Sequence, residues 1–143
     1  MSSALVWFRR DLRVQDHVAL SQALQKNEQV YCAFIFDTTI LDALPRRDRR
    51  VEFILRSLEE VAASLESMGG SLIVRIGDPR HEIPALVAEL GVTALYFNRD
   101  YDPVAIARDE AVAERVRATG QGWVLPLGLP AAAINNALLA MKP

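Results

Sequence analysis

The sequence has one cysteine, no excess of positive charge and no apolar run long enough to cross a membrane. Each shortage removes a class of protein. Cys32 sits inside the apolar run of residues 30–36, so neither a disulfide framework nor a zinc site can be built on it, and a reducing, cytoplasmic setting is expected. The formal net charge is −2, from 16 Lys and Arg against 18 Asp and Glu, which argues against a stand-alone nucleic-acid binder. No basic segment precedes the short apolar run near the start, so neither a leader peptide nor membrane association is expected. His17 and His81 lie far apart without a Cys or carboxylate at metal-ligand spacing. Both are expected on the surface, and no metal site is expected. Ser21, Ser57, Ser64 and Ser67 fall inside helical stretches with no Gly-x-Ser-x-Gly elbow, which leaves a hydrolase nothing to rest on. No Gly-x-Gly-x-x-Gly follows the first apolar run.

What is present is ordinary soluble-domain chemistry in an ordered alternation. Of the 143 residues, 51% are hydrophobic and 24% charged, enough for one domain with a real core. Residues 4–8 form a continuous apolar run, the mark of a strand buried on both faces. Arg9, Arg10, Asp11 and Arg13 follow as a charged elbow, and Asp16 stands where a helix N-cap belongs. Ala19, Leu20, Ala23 and Leu24 supply the apolar stripe behind it. A second strand spans residues 29–36. Pro45 and the run Arg46, Arg47, Asp48, Arg49, Arg50 lead into a long helix striped by Val51, Ile54, Leu55, Leu58, Val61, Ala62, Leu65 and Met68. The arginines of that run are expected to face solvent rather than DNA phosphate. Gly69-Gly70 closes the helix and residues 71–76 make a third strand.

Asp78 and Pro79 give a capping signal, with Ile83, Leu86, Val87 and Leu90 as the next stripe and Gly91 as its end. Pro84 inside this stretch suggests a helix beginning near Glu82. Residues 93–97 read as the fourth strand. Asp102-Pro103 repeats the capping signal, Val112, Ala113 and Val116 turn inward, and residues 123–127 make a fifth strand. Five strands alternating with four helical segments predict an α/β fold: a Rossmann-like parallel sheet with helices on both faces. Trp7 and Trp123 are expected in the core.

In such a sheet ligands bind at the carboxyl ends of the strands, where the strand order reverses. If the first strand is central, Arg9, Arg10 and Asp11 meet Phe36 and Asp37 from the second strand. Asn98, Arg99, Asp100 and Tyr101 from the fourth join them. The residues themselves allow two readings. A flat heterocycle with a polar edge would suit such a rim, or the arginines and carboxylates pair with one another to close strand ends.

The opening Val6-Trp7-Phe8-Arg9-Arg10-Asp11-Leu12-Arg13-x-x-Asp16-x-x-Ala19-Leu20 closely resembles that of the DNA photolyase/cryptochrome family. Phe36-Asp37-x-x-Ile40-Leu41, Arg49-Arg50-Val51, Gly69-Gly70-x-Leu72, Gly77-Asp78-Pro79 and Asn98-x-Asp100-x-x-Pro103 resemble later segments of it in the same order. The resemblance covers residues 4 to about 120 and implies strand order 3-2-1-4-5. Residues 1–127 would be the family's amino-terminal antenna domain and residues 128–143 a tail or short helix.

By the same resemblance, Arg9, Arg10, Asp11, Phe36, Asp37, Asn98, Asp100 and Tyr101 would hold a light-harvesting chromophore, 8-hydroxy-5-deazaflavin or a flavin (FMN or FAD). Folate-binding members carry an Asn-Glu pair early in the helix after the fourth strand, where this chain has Val104 and Ala105, so folate is disfavoured. The whole protein would use light and FAD, held in a helical partner domain, to split cyclobutane pyrimidine dimers in damaged DNA. The present chain would contribute no catalytic residue and be inactive alone. After the fifth strand it departs from the family's acidic Asp-x-x-Leu segment, and it is expected to be an excised or truncated piece. The other readings are a light-receptor (cryptochrome) fragment, a structural domain without ligand, or a nucleotide module like those of electron-transfer flavoproteins and universal stress proteins. Those modules usually have a Gly-rich segment where this chain has Asn98-Arg99-Asp100-Tyr101.

Overall fold

β1 (Ser3–Phe8) lies inside a parallel sheet, hydrogen-bonded to β2 (Gln29–Asp37) on one side and β4 (Ala94–Asn98) on the other. β3 (Leu72–Gly77) pairs beyond β2, and the backbone of Trp123–Leu127 (β5) runs along β4, for an order β3-β2-β1-β4-β5. The computed structural model describes residues 2–9, 11, 12, 14, 15, 17–38, 49–100, 102–118 and 123–127, with backbone alone at 49–51 and 123–127. The side chains of the sheet are therefore those of four strands, in the order β3-β2-β1-β4. The α/β class and the parallel sheet follow the expectation.

Because alternate residues of a strand point to opposite faces, β1 feeds two cores at once. Val6 and Phe8 join Phe34, Phe36 and Tyr96 beneath α1 (Val18–Lys26) and α2 (Arg49–Ser67). Leu5 and Trp7 join Ile35, Leu95 and Phe97 beneath α3 (Pro79–Leu90) and α4 (Pro103–Ala118). Residues 4–8 are all buried, which is why their sequence shows no polar alternation. Each large side chain among them removes about 1.5–3 kcal/mol of apolar surface from water. The switch point between β1 and β4 follows from this arrangement. Crossovers through α1 and α2 run on one face, and those through α3 and α4 on the other.

Local chemistry sets the element ends. Asp78 accepts a hydrogen bond from the Arg80 amide at 3.0 Å with Pro79 opening α3 behind it, and Asp102 does the same for the Val104 amide at 3.0 Å. Gly91 closes α3 at φ +65°, a left-handed conformation that costs a residue with a Cβ about 1–2 kcal/mol.

Three expectations need correction. α3 starts at Pro79 rather than near Glu82, so Pro84 lies inside the helix. Proline cannot donate to the Arg80 carbonyl four residues back, and the Arg115 guanidinium of α4 donates to it instead, at 2.9 Å. Leu24 is 53% exposed, because α1 meets the sheet through Ala19, Leu20 and Ala23. Leu55 and Met68 are exposed too: α2 buries the narrow seam of Leu58, Val61 and Leu65.

The expected stripe of α4 is buried as read, and so is Trp7. The Arg46, Arg47, Arg49 and Arg50 side chains, Trp123's side chain and residues 128–143 lie outside the described residues. Among the described residues no helix is long and apolar enough to cross a membrane. Burial pushes the Cys32 thiol up to about 12, which leaves it protonated and unreactive at neutral pH.

Candidate functional site

The site is built where β1, β2 and β4 end, and the sheet divides its residues into two groups. Arg9 leaves β1 on the face covered by α3 and α4. Its guanidinium carbon stands 4.8 Å from the centre of the Trp7 ring and 5.1 Å from that of Phe97, and it donates to the Asn98 carbonyl while pairing with the Asp109 carboxylate. Arg108 lies 5.7 Å from the Trp7 ring and reaches both Asp37 (3.6 Å) and Asp109 (3.7 Å). Two cations and two carboxylates from β1, β2 and α4 thus gather over one indole. Burial pushes the Asp109 carboxyl up from its ordinary range, against the pull of Arg9 and Arg108 and with the charge of Asp100 adding to it.

The second group sits on the α1 side. His17 is fully buried and caps α1: its Nδ1 accepts from the Leu20 amide at 3.0 Å, and its Nε2 lies 2.8 Å from Asp11 Oδ2. A neutral ring with its proton on Nε2 satisfies both contacts. Asn98 ties the cap to β4, donating from Nδ2 to Asp11 at 2.7 Å while its Oδ1 accepts from the Ala19 amide at 3.0 Å. The Arg9 amide donates to the other Asp11 oxygen at 2.8 Å. Burial alone would raise the Asp11 carboxyl, but the hydrogen bonds it accepts from His17, the Arg9 amide and Asn98 hold it below the usual carboxylate range.

The surface expectation for His17 is therefore wrong, and the cap expected at Asp16, itself outside the described residues, is His17. An imidazole nitrogen can accept from a helix amide as a Ser or Asp oxygen does. The signal in the sequence was its place directly before Val18-Ala19-Leu20.

The depressed carboxyl of Asp11 makes a pH prediction. A folded value below the unfolded one contributes stability at every pH above the ordinary carboxylate range, and that contribution is lost as pH falls through the folded value. Asp109 has the opposite sign: its raised value favours the fold when protonated and opposes it as pH rises through that value. Asp11→Asn should therefore lower the urea midpoint near neutrality and flatten its fall between about pH 5 and about pH 2. An acid limb as steep as that of the unmodified chain would count against the Asp11 assignment.

Of the residues the sequence singled out, Arg9 and Asp37 belong to the first group, Asp11 and Asn98 to the second. Phe36 packs edge-on to Phe34 in the core under α1 and α2, their ring centres 5.0 Å apart. Asp100 and Arg99 line a hollow of about 310 Å³ between the end of β4 and α4, with Phe97, Ile106, Asp109 and Arg117. Arg10 and Tyr101 lie outside the described residues. A larger groove of about 600 Å³ opens at the opposite rim, between the carboxyl ends of α1 and α2, and contains none of these residues.

Sequence reasoning missed His17, Arg108 and Asp109. Asp109 was visible as a carboxylate on an otherwise apolar helical stripe, among Ala105, Val112, Ala113 and Val116.

Arg9, Asp11 and Asn98 are thus engaged by the protein itself. The hollow beside Asp100 is at the small end of the range for ligand sites, with an apolar wall at Phe97 and Ile106 and charged edges. That volume accommodates a flat ring system and is small for a whole dinucleotide.

The sequence pattern of the DNA photolyase family matches residues 4–125. The chain is 35% identical over 133 residues to a cryptochrome DASH of Gloeobacter violaceus, covering 90% of this chain and 25% of that protein. It is 34% identical over 116 residues to a deoxyribodipyrimidine photo-lyase of Synechococcus, covering 81% and 24%. It therefore spans about a quarter of the length of these curated relatives. Its structure superposes with a TM-score of 0.77, at 30% identity, on an archaeal photolyase of Sulfolobus tokodaii solved with two FAD molecules, covering 87% of this chain and 29% of that one. A matched pattern over most of its length, with the fold and strand order to go with it, makes this chain a member of the DNA photolyase family, corresponding to the amino-terminal domain.

Proposed function

We propose that residues 1–127 form an antenna domain, whose rim at the ends of β1, β2 and β4 holds a flat light-harvesting chromophore for a larger photolyase-type protein. The observation that carries the reading is the hollow beside Asp100, between the carboxyl end of β4 and α4, apolar on its wall and charged at its edges. Asp37 and Asp100 are the carboxylates suited to ring N–H groups, Arg99 and Arg10 suit a phosphate or ring oxygen, and the exposed Ile106 side chain offers apolar contact. Tyr101 and Phe36 stay in the proposed site from the family resemblance. Arg9, Asp11 and Asn98 support the rim through their own bonds.

The chromophore proposed is 8-hydroxy-5-deazaflavin or a flavin (FMN or FAD), a choice in keeping with the Sulfolobus tokodaii structure, described as implying a novel light-harvesting cofactor. Folate is disfavoured by Val104 and Ala105 at the start of α4, which offer no hydrogen-bonding side chain to a pterin. When bound, such a pigment absorbs blue light and passes excitation to a second flavin. In the whole protein that flavin would be FAD in a helical domain, and the product would be split pyrimidine dimers in damaged DNA. A reducing, cytoplasmic setting is part of the proposal and rests on the single buried Cys32.

The test is a fluorescence titration of the 143-residue chain with FMN and with 8-hydroxy-5-deazaflavin. Asp37→Ala and Asp100→Ala should each weaken binding by about tenfold or more, the loss of one charge-assisted hydrogen bond. Unchanged affinity in both would remove the rim assignment. Illumination of the chain with added FAD and a thymine-dimer oligonucleotide should give no repair, and measured repair would overturn the antenna-only role.

A further inference from the structure

We propose that Arg9 and Arg108 form a cationic clamp over Trp7 that protects its indole from one-electron oxidation by an excited pigment at this rim. The inference rests on the reading that a pigment binds there. Trp7 is buried at the end of β1, edge-on to Phe97, which lines the hollow of the proposed site, with ring centres 5.5 Å apart. A buried indole beside an excited flavin-type ring is an electron donor. An indole that gave one electron to the half-empty orbital of such a ring would be left as a radical cation, the ring would be reduced by one electron, and the excitation would be lost.

Positive charge against the indole face opposes that step, because the product is itself a cation. Two guanidinium carbons stand over the ring, at 4.8 and 5.7 Å, inside the range where a cation and an aromatic ring interact. Both arginines face carboxylates. Arg9 is fixed between two rings by Asp109 and the Asn98 carbonyl, and Arg108 faces Asp37 and Asp109 at ion-pair distances of 3.6 and 3.7 Å. Asp109 and Asp37 cancel the net charge, but they do so by binding the guanidinium nitrogens. The charged groups that stand over the ring are the two guanidiniums, which places their positive charge next to the indole. In a site that must hand on energy and keep its electrons, such a placement has a use beyond packing.

The test uses the 143-residue chain carrying Trp123→Phe, which leaves Trp7 as its one tryptophan. Azide radicals made by pulse radiolysis serve as the one-electron oxidant, each leaving as azide anion, and transient absorption follows the tryptophan radical. Because this small neutral oxidant is not a ligand proposed for the rim, the result does not depend on whether the rim binds a pigment. Arg9→Met/Asp109→Leu, which removes one cation and its carboxylate together, and Arg108→Met should each raise the oxidation rate of Trp7, the double variant by roughly tenfold. Acrylamide quenching of Trp7 emission, measured in parallel, reports access to the ring. A rate that rises while quenching stays constant supports the clamp. Rates unchanged in both variants, or rising only in step with quenching, overturn it. Should the double variant not fold, Arg108→Met decides by the same two readings.

Discussion

Asp109→Ala should cost about 3–5 kcal/mol of folding stability, more than truncating most apolar residues of the same helix. The reason lies in what the substitution leaves behind. Asp109 and Arg9 meet where both side chains are about nine-tenths buried. Removing the carboxylate strands the guanidinium between Trp7 and Phe97 with the Asn98 carbonyl as its remaining polar partner in this group. Arg108 loses one of its two carboxylates at the same time. The double substitution Arg9→Met/Asp109→Leu should recover most of the loss, because burying the pair was costly in itself and the replacements fill similar space with apolar atoms. Urea denaturation of the single and double variants measures both numbers. A loss below about 1 kcal/mol in Asp109→Ala would mean that the pair is open to water and contributes little.

The second large effect is expected at His17. His17→Ala removes the acceptor for the Leu20 amide and the donor facing Asp11, and leaves a cavity at a fully buried position. A lost cap costs about 0.5–2 kcal/mol and an unsatisfied buried group about 1–3, so a total of about 2–4 kcal/mol is expected. His17→Asn should be milder, since an amide oxygen can still accept from Leu20 while the shorter side chain gives up Asp11. Hydrogen exchange of the Leu20 amide separates the two functions. It should speed up in the alanine variant and stay protected in the asparagine one. Equal loss of protection in both would show that the cap depends on the Asp11 bond rather than on the acceptor at Nδ1.

The element plan was legible because local chemistry decides it. The apolar run of residues 4–8, the Asp102-Pro103 start and the Gly91 stop each act within a few residues of themselves, and each stands where the sequence placed it. Pro84 misled because a proline inside a helix is tolerated when another helix supplies the missing donor, and Arg115 is 35 residues away from the carbonyl it serves. His17 misled for a similar reason. A lone histidine looks like a surface residue until its partners on two strand ends are known, and Asn98 lies 79 residues from the Ala19 amide it binds.

The candidate site shows the same boundary. The rim residues were found from the sequence because strand ends in a parallel sheet converge at one edge. Their division was not. Arg9 and Asp11 are two apart and would share a face if the strand continued, but β1 ends at Phe8, and the bond from the Arg9 amide to Asp11 turns the chain back. Arg9 then falls on the α4 side and Asp11 on the α1 side.

By itself the sequence determined the α/β class, the order of elements along the chain, most of their ends and the family, since these follow from periodicity, capping and motifs carried on contiguous residues. Only the tertiary structure decided which charges meet: Arg9 with Asp109, Arg108 with Asp37, His17 with Asp11. Alternation and helical period place a side chain on a face, whereas the partner that satisfies it comes from another element, at a distance along the chain that no local rule reads.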